Sequence, residues 1–166
     1  MNNQPLQTPV VASAKGTLYL QFRLNRQRFA LDVREVIEVL PRRPLKPIAQ
    51  APAWVAGILP HRGVLVPVVD LSALSFAQPA AERTSTRLVL VRYRTEHVLG
   101  LVLEQATETL RCAPEEFQPY GLDNGEARYL GPVREDAQGL LQRIEVDDLL
   151  PAAVRELLFP AGQVMA

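Results

Sequence analysis

Few side chains in this sequence have the capacity for chemistry. Two histidines, His61 and His97, stand 36 positions apart, and Cys112 is the sole cysteine. A zinc site needs three or four ligands at characteristic spacings, and no helical i, i+4 pair anchors one here. A nucleophile pair could be built from Cys112 with His97 or His61. The neighbours Arg111, Ala113 and Pro114 offer one positive charge to activate the thiol, which favours a structural cysteine. The run Gly121 to Gly125 reads Gly-Leu-Asp-Asn-Gly, a turn rather than a phosphate loop. Glu115 and Glu116 are adjacent, so they point differently, and the first turn of a short helix explains them better than acid–base pairing. Glu38 is different. It interrupts the apolar run Val36-Ile37-Glu38-Val39-Leu40, and an acid shielded by apolar neighbours needs a positive partner. Arg62, in a turn before Gly63, is a candidate for that partner. The alternative is that both side chains are simply solvated.

These residues must be positioned by short strands. Leu18, Leu20, Phe22 and Leu24 alternate with polar residues, and Phe29, Leu31 and Val33 resume the pattern after Asn25-Arg26. Period two predicts a hairpin. Val33, Val36, Ile37 and Leu40 fit either a helical turn or a twisted strand. Prolines 41, 44, 47 and 52 forbid a strand or helix interior and predict an extended loop beside Glu38. His61-Arg62-Gly63 turns the chain into an apolar strand from Val64 to Leu71. The small, polar segment Ser72 to Thr86 reads as a bridge between halves. Leu88–Val91 and Val98–Leu103 form a second hairpin about Arg94-Thr95-Glu96. Pro114 begins a short helix. Strands follow at 129–131 and 140–146, and Pro151 to Phe159 is the clearest helix.

There is an internal echo. Gly57 opens a strand–turn–strand that ends Val68-Val69-Asp70-Leu71, and Gly131 opens another that ends Val146-Asp147-Asp148-Leu149. Short strands in two sets argue for two small barrels rather than an α/β sheet. The expected core includes Leu18, Leu20, Phe22, Phe29, Leu31, Val66, Val68, Leu88, Leu90, Val102 and Ile144.

Composition sets outer limits. At 166 residues, with 48% apolar and 22% charged and no net charge, the chain suits one folded domain and not a disordered one. No apolar run approaches the ~18 residues of a membrane span, and Met1 to Ala12 lacks the basic start and apolar block of a secretory signal, so the cytoplasm is expected. Residues 1–83 hold 10 Lys/Arg and 5 Asp/Glu, and residues 84–166 hold 8 and 13. That asymmetry fits two different partners, head-to-tail packing, or chance. Nucleic acid is not an expected partner, because there is no basic run and the pI is near 6.7.

The residues around Glu38 and Arg62 also carry a resemblance. Phe22-Arg23-Leu24 with Phe29 to Val33, Val36-Ile37-Glu38-Val39, Pro52-Ala53-Trp54-Val55-Ala56-Gly57, and Arg62-Gly63 through Val64-Leu65-Val66-Pro67-Val68-Val69-Asp70-Leu71 are similar to the signatures of CheW-like coupling proteins of bacterial chemosensory systems. Val98-Leu99-Gly100-Leu101-Val102 and Tyr129-Leu130-Gly131 match less tightly. The resemblance spans about Thr17 to Leu150. It implies a mainly β fold of two intertwined five-stranded SH3-like barrels, with short helices and a C-terminal helix. A lead (1–16), a single domain (17–159, with barrel halves about 17–86 and 87–150) and a tail (160–166) follow from it.

The implied function is scaffolding without catalysis or cofactor. The implied partners are the cytoplasmic tip of a methyl-accepting chemoreceptor and the regulatory domain of a CheA-type histidine kinase. Weak self-association fits, direct membrane insertion does not, and the chain would be recruited to a membrane-associated receptor array. Val36, Glu38, Gly57, Arg62 and Gly100 fall at positions that line or support the receptor groove, with Glu38 and Arg62 as a salt-bridging pair. Arg62→Glu or Gly57→Asp is expected to weaken association while leaving the fold intact. Pro60-His61 stands where the family has Asn-Leu, and Glu104 where an aspartate is common. These departures point toward a dedicated alternative pathway.

Overall fold

The structure, a computed structural model, describes residues 16–119, 125 and 127–161. Most of the expected lead (1–16), of the Gly121–Gly125 turn and of the tail (160–166) lies outside the described residues. The described chain is mainly β, as two intertwined five-stranded SH3-like sheets with few helices.

Strand β1 (Thr17–Leu24) pairs with β2 (Gln27–Asp32) through a two-residue turn with positive φ at Asn25 and Arg26, a geometry that matches the twist of a hairpin. The next three residues form a 3-10 turn capped by Asp32, and β3 (Val36–Pro41) follows. Both readings of this stretch are therefore realised in sequence, a helical turn and then a strand. After the proline loop come β4 (Val55–His61) and β5 (Val64–Asp70), then helix α1 (Leu71–Phe76), then β6 (Arg87–Tyr93) and β7 (His97–Leu103). Strand β8 (Glu108–Cys112), a 3-10 turn at Pro114–Glu116, β9 (Leu130–Asp136), β10 (Gly139–Ile144) and helix α2 (Ala152–Leu158) complete the chain.

The first sheet has the order β8-β1-β2-β10-β9 and the second β3-β6-β7-β5-β4. Each contains one parallel pair, β2 with β10 and β7 with β5, at the same place in the order. The echo between Gly57 and Gly131 is thus a real correspondence: β4–β5 and β9–β10 occupy equivalent positions. In each sheet the chain that follows one edge strand is joined to the other edge strand by a pair of backbone hydrogen bonds. Lys46 and Ile58 exchange them in the second sheet at 3.0 and 2.8 Å, and Gln118 and Val133 in the first at 2.7 and 2.9 Å.

One expectation needs correction. The halves 17–86 and 87–150 are not the two sheets. The second sheet is built wholly within Val36–Leu103, and the first takes its strands from both ends of the chain. The polar segment after Leu71 begins with α1, capped by the Asp70 carboxylate on the amides of Ser72 and Ala73. It links β5 to β6 within the second sheet, where β7 lies between them.

Three apolar clusters follow from this arrangement. Val66, Val68, Leu88 and Leu90 fill the second sheet's interior, while Tyr19, Ala30, Phe117 and Leu141 fill the first's. A larger shared core lies between the sheets and includes Leu20, Phe22, Phe29, Leu31, Val89 and Val91. The alternation of β6 therefore sends Leu88 and Leu90 into one cluster and Val89 and Val91 into another. The same logic corrects the expected core at Leu18. That residue is half-buried, and Tyr19 is only 1% exposed, because its ring packs 5.1 Å from that of Phe117 inside the first sheet. The other expected core residues are buried.

Candidate functional site

The second sheet's outer strands present the site. Strand β3 carries an extra residue opposite β6: Val36 pairs with Val91 and Glu38 with Leu90, leaving Ile37 without its own partner. Such a bulge re-aims side chains at a sheet edge. Here Ile37 and Val39 face outward beside Glu38, both largely exposed. The β4–β5 hairpin turns through Arg62 and Gly63 at φ 53° and 80°, between paired His61 and Val64. Two positive φ values in a two-residue loop define the tight hairpin turn that glycine favours. Arg62 sits at its tip, 74% exposed.

The two strands are clasped by one carboxylate. Glu38 Oε2 accepts a hydrogen bond from Arg62 Nη2 at 3.0 Å, and Glu38 Oε1 lies 2.9 Å from His61 Nε2. The Glu38 side chain is 28% exposed and that of His61 only 11%. The hydrogen bond from His61 holds the Glu38 carboxyl below its usual range, with the charges of Arg62 and Arg43 adding to it against the opposing effect of burial. The sequence-derived pair of Glu38 and Arg62 is thus brought together. His61, singled out only as a departure from the family pattern, is the third member.

The remaining expected residues have other places. Gly57 has φ 145°, and a Cβ there would lie 2.6 Å from the Lys46 carbonyl oxygen. Its missing side chain lets β4 lie against the proline loop and make the Lys46–Ile58 bridge. Gly57→Asp is consequently not a clean surface change, since the loop backbone must move to admit it. Gly100 is buried inside the second sheet, where a Cβ would lie 2.9 Å from Val68 Cγ2. Val36 is half-buried against the shared core. Gly100 therefore presents no surface of its own, and Val36 only part of its side chain.

Sequence reasoning missed the exposed apolar side chains of these strands. Val64 and Leu65, directly after the hairpin tip, are exposed, as are Ile37 and Val39 to either side of Glu38 in sequence. Alternation alone does not mark them, because Val64 to Leu71 reads as a continuous buried strand.

The catalytic alternatives have less to work with. Cys112 is buried, and burial pushes its thiol pKa up, away from the reactive thiolate. His97 stacks on Phe159 at 4.2 Å and His61 is held by Glu38. Among the described residues no group of three His, Cys, Asp or Glu is arranged to hold a metal ion, and no helix is long and apolar enough to cross a membrane.

A second ion network lies in the first sheet. The Arg28 guanidinium, nearly buried, grips both Asp136 oxygens at 2.9 and 3.0 Å and reaches Gln21 Oε1 at 3.2 Å. Arg134 links Asp136 to Glu116 at 3.0 and 2.8 Å. The Arg28 hydrogen bond holds the Asp136 carboxyl down at about 2.

Comparison with known proteins places these features. The family described as "CheW-like domain" matches residues 18–154. The chain is 27% identical to the Chemotaxis protein CheW of Rhizobium meliloti (strain 1021) over 143 residues, 85% of this chain and 92% of that one. It is 29% identical to Protein FrzA of Myxococcus xanthus over 116 residues, 68% of this chain and 71% of that one. In fold it is similar to the scaffolding protein TtCheW from Thermoanaerobacter tengcongensis, with a TM-score of 0.71 at 18% identity, covering 78% of this chain and 84% of that one.

Proposed function

The chain belongs to the CheW-like domain family, and from that premise we propose that it is a non-catalytic scaffold coupling chemoreceptors to a CheA-type histidine kinase. The observation that carries this reading is the Glu38–Arg62 clasp, an ion pair between two edge elements that also expose Ile37, Val39, Val64 and Leu65. Apolar anchors around a central arginine are the usual composition of an energetic centre in a protein interface. The clasp joins strand β3 to the β4–β5 hairpin, so a partner that contacts either element acts on both. The receptor's helical tip is assigned to this surface, and the kinase regulatory domain to the barrel ends. The chain works in the cytoplasm, is recruited to membrane-bound receptors through these contacts, and needs no cofactor or nucleic acid. Val36 and Gly100 set the packing that fixes the surface, and Gly57 sets the loop beside it. The Pro60-His61 departure favours service to a dedicated receptor set.

The test is assembly of the purified chain with the chemosensory kinase from the same genome and a receptor cytoplasmic fragment. Arg62→Glu places a second carboxylate against Glu38 on an exposed tip. It is expected to weaken the ternary complex at least tenfold with an unchanged melting temperature. A folded wild-type chain that binds neither partner, or an Arg62→Glu chain that assembles normally, would overturn the assignment.

A further inference from the structure

We propose that His61 is a positioning residue of this surface: it keeps the Glu38 carboxylate in place when Arg62 is drawn away to a carboxylate on the docked partner, and it takes up a proton as that happens. The partner step rests on the coupling function proposed above. The roles of His61 within the clasp do not.

The clasp has one fixed arm and one free arm. His61 is nearly enclosed and meets Glu38 Oε1, whereas Arg62 is mostly exposed and meets Oε2 through Nη2 alone. Arg62 Nε and Nη1 make no hydrogen bond among the described residues. An arginine held by one nitrogen gains by moving to a carboxylate that accepts two parallel hydrogen bonds. The same two elements expose Ile37, Val39, Val64 and Leu65, apolar surface that a docking partner can bury alongside such a pair. The partner's contact is therefore an acidic side chain framed by apolar ones.

Departure of Arg62 has a consequence for Glu38. A largely buried carboxylate that loses its cation is costly unless another group supplies charge. The charged groups that face His61 are Glu38 from β3 and Arg62 from its own hairpin, and Arg43, from the loop after β3, acts on the same carboxylate. When Arg62 moves off, its repulsion of an imidazolium falls while the attraction of Glu38 stays. The docked state thus holds more protons than the free state, and by linkage affinity rises as pH falls.

The first measurement is NMR titration of the His61 ring in the free, full chain, with His61→Gln identifying its signal against His97. Arg62→Ala is expected to make His61 titrate at higher pH. An unmoved titration overturns the inference. The second is calorimetry of docking to the receptor fragment and kinase in two buffers of different ionisation enthalpy. Uptake of about half a proton is expected, with affinity rising about fivefold to tenfold from pH 8 to pH 5.5. His61→Gln keeps a hydrogen-bond donor for Glu38 and is expected to dock with a flat profile. The same slope in His61→Gln overturns the inference. A shifted titration in Arg62→Ala, in a chain that docks to neither partner, upholds the His61–Arg62 coupling and overturns the scaffold reading alone.

Discussion

Glu35 offers a sharp test of the electrostatics beneath the site. It ends the 3-10 turn that leads into β3, three residues before Glu38. Burial pushes its carboxyl up from 4.5 to about 7, and the neighbouring charges of Asp32, Asp147 and Glu145 push it further in the same direction, against Arg143. The folded state therefore holds a proton that the unfolded state has released between pH 4.5 and 7. Stability contributed by this group is present below its unfolded value and is lost as pH rises through the folded one. A shift from 4.5 to about 7 gives an upper limit of about 2.5 kcal/mol lost between pH 5 and pH 8, and solvent screening of a half-buried group brings this to about 1–2 kcal/mol. Glu35→Gln removes the titration and keeps the shape. Urea unfolding of both proteins at half-unit steps from pH 5 to pH 8 reads the difference directly. The variant should gain about 1–2 kcal/mol on the wild type across that range. Parallel stability curves would show that Glu35 does not titrate there, and the acidic neighbourhood assigned to it would be wrong.

Three further outcomes follow from the packing. Leu20→Ala should cost about 2–5 kcal/mol in chemical unfolding, and Leu18→Ala less than about 1 kcal/mol, because only Leu20 lies in the shared core. The reverse order would put β1 out of register. Asp136→Asn should cost about 3–5 kcal/mol by leaving the buried Arg28 guanidinium without its counter-charge, and replacing Arg28 and Asp136 together by apolar residues should cost less. Equal costs would show that the pair is not coupled. Gly57→Ala should lower the melting temperature and speed amide exchange at Lys46 and Ile58, since the added Cβ meets the loop carbonyl. Unchanged exchange would mean that the loop yields without cost.

What the sequence makes legible is local. Period two marks the first hairpin, two apolar runs about a polar turn mark the second, and Pro151 to Phe159 brackets α2, because these are short-range signals. Partition of the strands is not legible. Strand β8 pairs with β1 from about ninety residues away (Thr17 opposite Cys112), and the choice is made by burial of Tyr19 and Phe117, which neither segment reveals alone. Strand β8 itself, Glu108–Cys112, has a weak pattern because it lies at a sheet edge and only Cys112 is buried. At the site, Glu38 is conspicuous as an acid among apolar residues, and both the turn before Gly63 and the resemblance point to Arg62 as its partner. Nothing in the sequence pairs His61 with Glu38. Its role needed the hairpin turn, which brings positions 61 and 62 to one carboxylate from opposite sides.

The two sheets differ at the seam where the docking site is proposed. Each closes its open seam in the same way, with one backbone bridge and one acid–base contact. In the first sheet the Gln118–Val133 bridge is accompanied by Arg134 and Glu116 at 2.8 Å. In the second the Lys46–Ile58 bridge is accompanied by Glu38 with His61 and Arg62. The arginines differ. Arg134 is 17% exposed and also committed to Asp136, which Arg28 grips from within, so that seam is sealed. Arg62 is 74% exposed and held at one nitrogen, on a hairpin that also exposes Val64 and Leu65. A sealed contact contributes to the fold and has little left to offer a partner, whereas a lightly held, exposed one leaves hydrogen-bonding capacity unused. With the same topology on both sides, the surface best able to exchange an internal ion pair for an external one is the second sheet's seam, and that difference supports placing the docking site there.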